Sequence, residues 1–208
     1  METETLGRFN KEMSSFNTLI LINIVGAALA MGFGVAVGAN AMLTMIGERN
    51  ILLPQVAMTE LALVGFVFAI RWLVLSAQIF DSFDDIRDEF KNRSEKADGE
   101  AVTELIVQNM AFYRDNKSTI EKLKLGSRIT GAFFLLLGSI VAFNLLSMGS
   151  IALLNLLTGT SGAILCVIIG IVGVYSPSFF EQYIKIWDHR LMYSAEAEKK
   201  LDRILEGE

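Results

Sequence analysis

One cysteine and one histidine among 208 residues deny this chain several common kinds of chemistry. Cys166 has no partner for an internal disulfide, and His189 has no cysteine or second histidine with which to complete a metal set of the zinc type. Cys166 lies inside an apolar run and reads as a small packing residue. Nucleophile elbow, P-loop and zinc-protease motifs are all missing. Without a catalytic pair the chain is expected not to be an enzyme, and no cofactor is expected.

Charge of a single sign is also missing. Lys and Arg number 18 against 23 Asp and Glu, a net charge of −5, and both the central segment and the C-terminal tail mix the two signs. That pattern indicates neither a nucleic-acid surface nor a broad anionic-lipid surface. A secretory signal is not expected, since Glu2 and Glu4 make the start acidic and the apolar stretch that follows is too long for a signal core.

What the chain has in quantity is apolar sequence. Hydrophobic residues make up 52% and the mean hydropathy is +0.46. The apolar segments fall at about 17–46, 57–80, 129–157 and 160–180, each long enough to cross the hydrocarbon as a helix. They lack the alternation of barrel strands. The expected fold is therefore an all-α membrane protein, a four-transmembrane-helix bundle with helical cytoplasmic extensions. The extensions are a helical hairpin at about 81–128 and a tail at about 181–208.

Basic residues set the orientation. Of 18 Lys and Arg, 16 lie in the N-terminal segment, the 81–128 hairpin and the tail, leaving Arg49 outside and Arg71 within a span. The positive-inside rule then places both termini in the cytoplasm, in a protein expected in the plasma membrane. Phe80, Phe83, Ile86 and Phe90 carry the helical stripe of the second span into the hairpin, and Asp98 with Gly99 reads as its stop. Val102, Leu105, Ile106, Asn109, Phe112 and Tyr113 form one face of the return leg. The polar run Asp115, Asn116, Lys117, Ser118 predicts a break or kink, as does the greater length of that leg. In the tail, Phe180, Tyr183, Ile184 and Trp187 make a second aromatic stripe. Segments 76–88 and 176–188 share a short likeness, which either a duplicated hairpin or common interface chemistry would produce.

Four groups of residues are candidates for function. Gly26, Ala30, Gly34 and Gly38 recur at every fourth position of the first span and let another backbone approach, within the chain, in a homo-oligomer or as the wall of a narrow pore. Arg71 lies about ten residues from either end of the apolar run 61–80, a depth at which something inside the protein is expected to satisfy it. Glu60, Arg71 and Gln78 share a helical face, and Asn144 of the third span is a further polar candidate at membrane depth. Asp81, Asp84, Asp85 and Asp88 crowd one side of the second helix's extension. They are a divalent-metal site, a DDxxD pattern for magnesium-bound diphosphate at Asp84, Asp85 and Asp88, or a solvated face balanced by Arg87, Lys91 and Arg93.

These residues lead to an expected homo-oligomeric membrane channel, with an anion or hydrated path past Arg71. The alternative is a non-catalytic scaffold in the lipid bilayer that binds a cytoplasmic protein partner through Phe90, Phe112 and Tyr113.

Overall fold

The computed structural model describes four helices, α1 (Glu2–Glu48), α2 (Leu53–Ser94), α3 (Gly99–Ser147) and α4 (Leu153–Glu206). Residues 1, 49–52, 95–98, 148–152 and 207–208 lie outside the described residues, as do some side chains within the helices, Phe90 and Asn144 among them. The described chain is entirely helical, and each helix contains a stretch long and apolar enough to cross a membrane. At 1.5 Å per residue, helices of 42 to 54 residues measure roughly 63 to 81 Å, about twice the thickness of a hydrocarbon core.

The reason for such long helices lies in the spacing of their buried residues. In α1 these are Phe9, Met13, Phe16, Ile20, Asn23, Ala27 and Ala30, separated alternately by four and three. In α2, Ala69, Trp72, Ser76, Ile79, Phe83 and Ile86 repeat the pattern, and Ile120, Leu123, Ser127, Thr130, Phe134 and Leu137 do so in α3. A mean spacing of 3.5 residues keeps one narrow face turned toward neighbouring helices over many turns. Successive helices accordingly run antiparallel and pack along their length, α1 on α2, α2 on α3 and α3 on α4, while α4 closes back on α1. Between α1 and α3, diagonally placed, contact is slight.

The two halves of this assembly differ in what faces outward. Toward the 49–52 and 148–152 connections, Val35, Leu63, Val67, Leu136, Phe143 and Ile168 are all exposed. This belt is far more apolar than a water-facing surface tolerates without a partner. Toward the chain termini an aromatic cluster fills the interior: Phe16 packs edge-on against Phe83, Phe180 and Tyr183 at centroid distances of 4.9, 5.7 and 5.7 Å. Phe83 also meets Phe112 at 5.6 Å.

Several expectations about boundaries are corrected. No break occurs at 115–118, because the polar residues there find partners without leaving the helix: Asn116 Nδ2 donates to the Phe112 carbonyl at 3.1 Å and Lys117 reaches Asp188. The unequal legs need no lateral helix, since α3 simply runs on beside the apolar part of α2. Phe83 faces Phe112, Leu75 lies beside Gly126 and Phe68 meets Phe133. The turn expected at 157–160 is also displaced, with α3 ending at Ser147 and α4 beginning at Leu153. Gly159 and Gly162 mark close approach rather than a turn: a methyl on Gly159 would come within 2.7 Å of Leu145, and one on Gly162 within 3.6 Å of Phe33. Gly99, read as a helix stop, opens α3 instead.

Helices α3 and α4 meet backbone to backbone at Gly131 and Gly173. A Cβ on Gly131 would lie 2.7 Å from the Val174 nitrogen, and one on Gly173 would lie 2.7 Å from the Gly131 Cα. The two backbones touch there, which only glycine on both sides permits.

Candidate functional site

Of the polar arrangements between the helices, two include buried side chains. The first is built on Asn23, which is fully buried. Its Oδ1 accepts from Trp72 Nε1 at 3.0 Å and from Ser176 Oγ at 3.0 Å, while its Nδ2 donates to the Leu19 carbonyl at 2.8 Å. One amide thus ties α1 to α2 and α4. Gly26, one turn on, makes room for the same indole, since a Cβ there would sit 2.9 Å from Trp72.

The second arrangement lies in the terminal half. Tyr113 Oη and Lys117 Nζ both donate to Asp188 Oδ1, at 2.9 and 2.7 Å, clamping α3 to α4. Burial pushes the Tyr113 phenol well above its usual pKa, helped by the Asp188 carboxylate and the charge of Glu121. At Asp188 burial acts upward, but the hydrogen bonds from Lys117 and Tyr113 and the Lys117 charge outweigh it, leaving the carboxyl below its usual value. Tyr113 is therefore held neutral and Asp188 ionised around neutral pH, so neither is poised there as a general acid or base. Nearby, Glu12 pairs with Arg190 at 3.1 Å, and Arg190 stacks over Trp187 at 4.5 Å. Asn109 Nδ2 lies 2.9 Å from Met13 Sδ.

Between these groups is a cavity of about 20 Å³, lined by Glu12, Met13, Phe16, Asn109, Tyr113 and Trp187 among others. That is room for about one water molecule. The chamber is a packed core with polar fastenings, too small for a substrate.

The residues singled out from sequence lie mostly elsewhere. Glu60, Arg71 and Gln78 do share one face of α2, but that face is exposed. The interior therefore does not satisfy Arg71, contrary to expectation. Arg71 lines an outer groove of about 130 Å³ between α2 and α3, with Phe68, Lys122, Leu125, Gly126, Ile129 and Thr130. Leu75 beside Gly126 and Phe68 against Phe133 put it level with Ile129 and Thr130, where the basic segment of α3 gives way to its apolar run; counting along α2 alone hid this, because the register of α3 beside it is a tertiary fact. The side chain of Asn144 lies outside the described residues.

The glycine stripe of α1 faces inward. A Cβ on Gly34 would lie 3.3 Å from the Ala62 carbonyl oxygen and one on Gly38 3.5 Å from the Ala62 Cβ, while Ala30 is fully buried. It serves packing within the chain. Phe112 and Tyr113, expected to receive a partner, are buried too. The carboxylates Asp81, Asp84, Asp85 and Asp88 do not form the metal site entertained for them. Asp84 pairs with Arg87 at 2.6 Å, Asp88 approaches the same guanidinium at 3.8 Å, and from Asp81 to Asp88 the helix rises about 10 Å. Among the described residues no three His, Cys, Asp or Glu side chains are grouped to hold a metal.

Sequence reasoning passed over the Trp72, Ser76 and Ser176 positions and the Gly131–Gly173 contact. The 3.5-residue spacing was the available signal, because it puts Asn23 and Ser76 in core positions where a polar group needs a partner. Comparison with known protein families, with curated proteins and with solved structures found no match to this chain.

Proposed function

We propose that the chain is a non-catalytic scaffold: a four-helix membrane bundle with both termini cytoplasmic, whose apolar half crosses the bilayer of the cell membrane and whose aromatic-cored half stands in the cytoplasm. The exposed apolar belt and the concentration of Lys and Arg toward the terminal end support the placement. The observation that carries the function is the continuity of the core. One buried cluster extends from Phe134, Leu137 and Cys166 in the apolar half to Phe9, Leu105 and Trp187 in the terminal half. A filled core of this length joins the halves as a rod, and the cavity that Glu12, Asn109 and Trp187 help to line within it has room for about one water molecule. On the terminal part of α4, Ile186, His189 and Tyr193 are exposed at spacings of three and four, an outward stripe suited to a helical protein partner.

The test is site-specific photocross-linking in cells from position 193 and, as a membrane control, from position 29. The scaffold reading expects a discrete second protein joined to position 193 and lipid alone joined to position 29. It is overturned if position 193 yields no protein adduct while the purified chain conducts ions in liposomes.

That latter outcome belongs to a second reading, a homo-oligomeric channel, which one observation favours. Glu60, Arg71 and Gln78 face outward together, where a neighbouring protomer would meet them, so a path would run between subunits. In that case the reconstituted chain is oligomeric and Arg71→Gln lowers its anion flux without lowering folded yield.

A further inference from the structure

The basic residues of α3 fall into two sets. Arg114 pairs with Asp115, Lys117 with Asp188, and both Lys124 and Arg128 with Glu181. Lys122 points the other way, into the groove with Arg71, and among the described residues neither of these two has a carboxylate partner. The groove thus gathers two cations and no anion.

Its remaining lining has a different character. Phe68, Leu125 and Ile129 make apolar walls, and Gly126 leaves the floor open: a Cβ there would meet nothing nearer than Leu75 at 3.7 Å. The side of the groove toward the apolar half continues into the exposed Val64, Val67 and Leu136. A two-cation pocket of about 130 Å³ opening onto an apolar face matches a molecule with an anionic head and a hydrocarbon tail.

We infer that the α2–α3 groove is a binding site for a single anionic phospholipid, with its phosphate between the Arg71 guanidinium and the Lys122 ammonium and an acyl chain along Phe68, Leu125 and Ile129. The guanidinium offers its planar fork to two phosphate oxygens, and the ammonium adds a point charge from the opposite wall. This is a discrete site rather than a basic surface, which is why overall charge gave no sign of it. The site rests on the membrane placement proposed above and not on the scaffold role.

Native mass spectrometry from mild detergent tests it, with phosphatidylglycerol and phosphatidylcholine as probes. The unaltered chain is expected to retain one phosphatidylglycerol in preference to phosphatidylcholine. Arg71→Gln combined with Lys122→Gln should weaken that retention by about thirtyfold, from two basic contacts near an anionic headgroup. Lys185→Gln combined with Lys199→Gln removes the same charge from exposed positions on α4 and should change little. Gly126→Leu keeps both cations but fills the floor, and should also lower retention. Equal retention by the groove double variant and the α4 double variant overturns the proposal. So does displacement of the lipid by millimolar inorganic phosphate, which would make the site one for a free anion. If the chain instead stays monodisperse in buffer without detergent, the membrane placement itself fails, a result distinct from loss of lipid selectivity.

Discussion

Replacing Gly131 by alanine adds one methyl group where two helix backbones meet, and the structure sets the size and sign of the result. The new Cβ would stand 2.7 Å from the Val174 nitrogen and 2.8 Å from both the carbonyl carbon and the Cα of Gly173, whereas ordinary contact begins near 3.4 Å. All three obstructing atoms are main chain, so no rotamer change can make room. The helices must part by about 0.7 Å, which loosens packing along the neighbouring turns. Overpacking of this kind costs about 1–3 kcal/mol, and a rigid backbone partner puts this site toward the upper end. Alanine's greater helix propensity offsets about 1 kcal/mol, leaving Gly131→Ala less stable by roughly 1–2 kcal/mol. Gly32→Ala is the matched control in the same apolar half, for a Cβ there meets nothing within 4 Å. Propensity is common to both variants, so their difference, roughly 2–3 kcal/mol, isolates the clash. Equilibrium unfolding in mild detergent titrated with a denaturing one, followed by tryptophan fluorescence, measures both. If Gly131→Ala matches or exceeds Gly32→Ala in stability, the backbone contact between α3 and α4 is wrong.

Three further outcomes are expected. Asn23→Leu leaves the buried Trp72 Nε1 without its acceptor and should lower stability by about 1–3 kcal/mol in the same assay, whereas Thr18→Ala, at an exposed position, should change it little. Asp188 has a folded pKa below the ordinary carboxylate value of about 3.9, so its contribution is present above that pH and is lost as pH falls through the lowered value. Stability measured against pH should thus fall less in Asp188→Asn than in the unaltered chain on acidification, and parallel curves would deny the clamp. Tyr113 has a raised pKa, so its contribution is present below about pH 10 and is lost as pH rises beyond it, a loss that Tyr113→Phe should escape in the same titration.

Helicity, the number of apolar stretches and the continuation of α2 and α4 past them were legible in the sequence because each is a local property of one helix. A 20-residue apolar run must be helical in hydrocarbon whatever surrounds it, and the stripes Phe80 to Ile86 and Phe180 to Trp187 keep their period whether or not a partner is known. The inward face of Gly26, Gly34 and Gly38 was half legible: small residues announce close approach but not to what. Register between helices was not legible, and the candidate residues depended on it. Arg71 was placed at mid-depth by counting along α2, yet its level is decided by Ile129 and Thr130 across the groove, at the edge of the basic segment of α3, and its outward direction by Trp72 and Ala69, which take the core positions on either side. The polar run 115–118 resembled a helix breaker until Asp188, more than 70 residues away, supplied a partner for Lys117. Gly131 and Gly173 carry no mark that separates them from other glycines in a row of small residues. Their role arises only where two backbones cross, because a missing side chain matters through the atoms that fill its space, and those atoms belong to another helix.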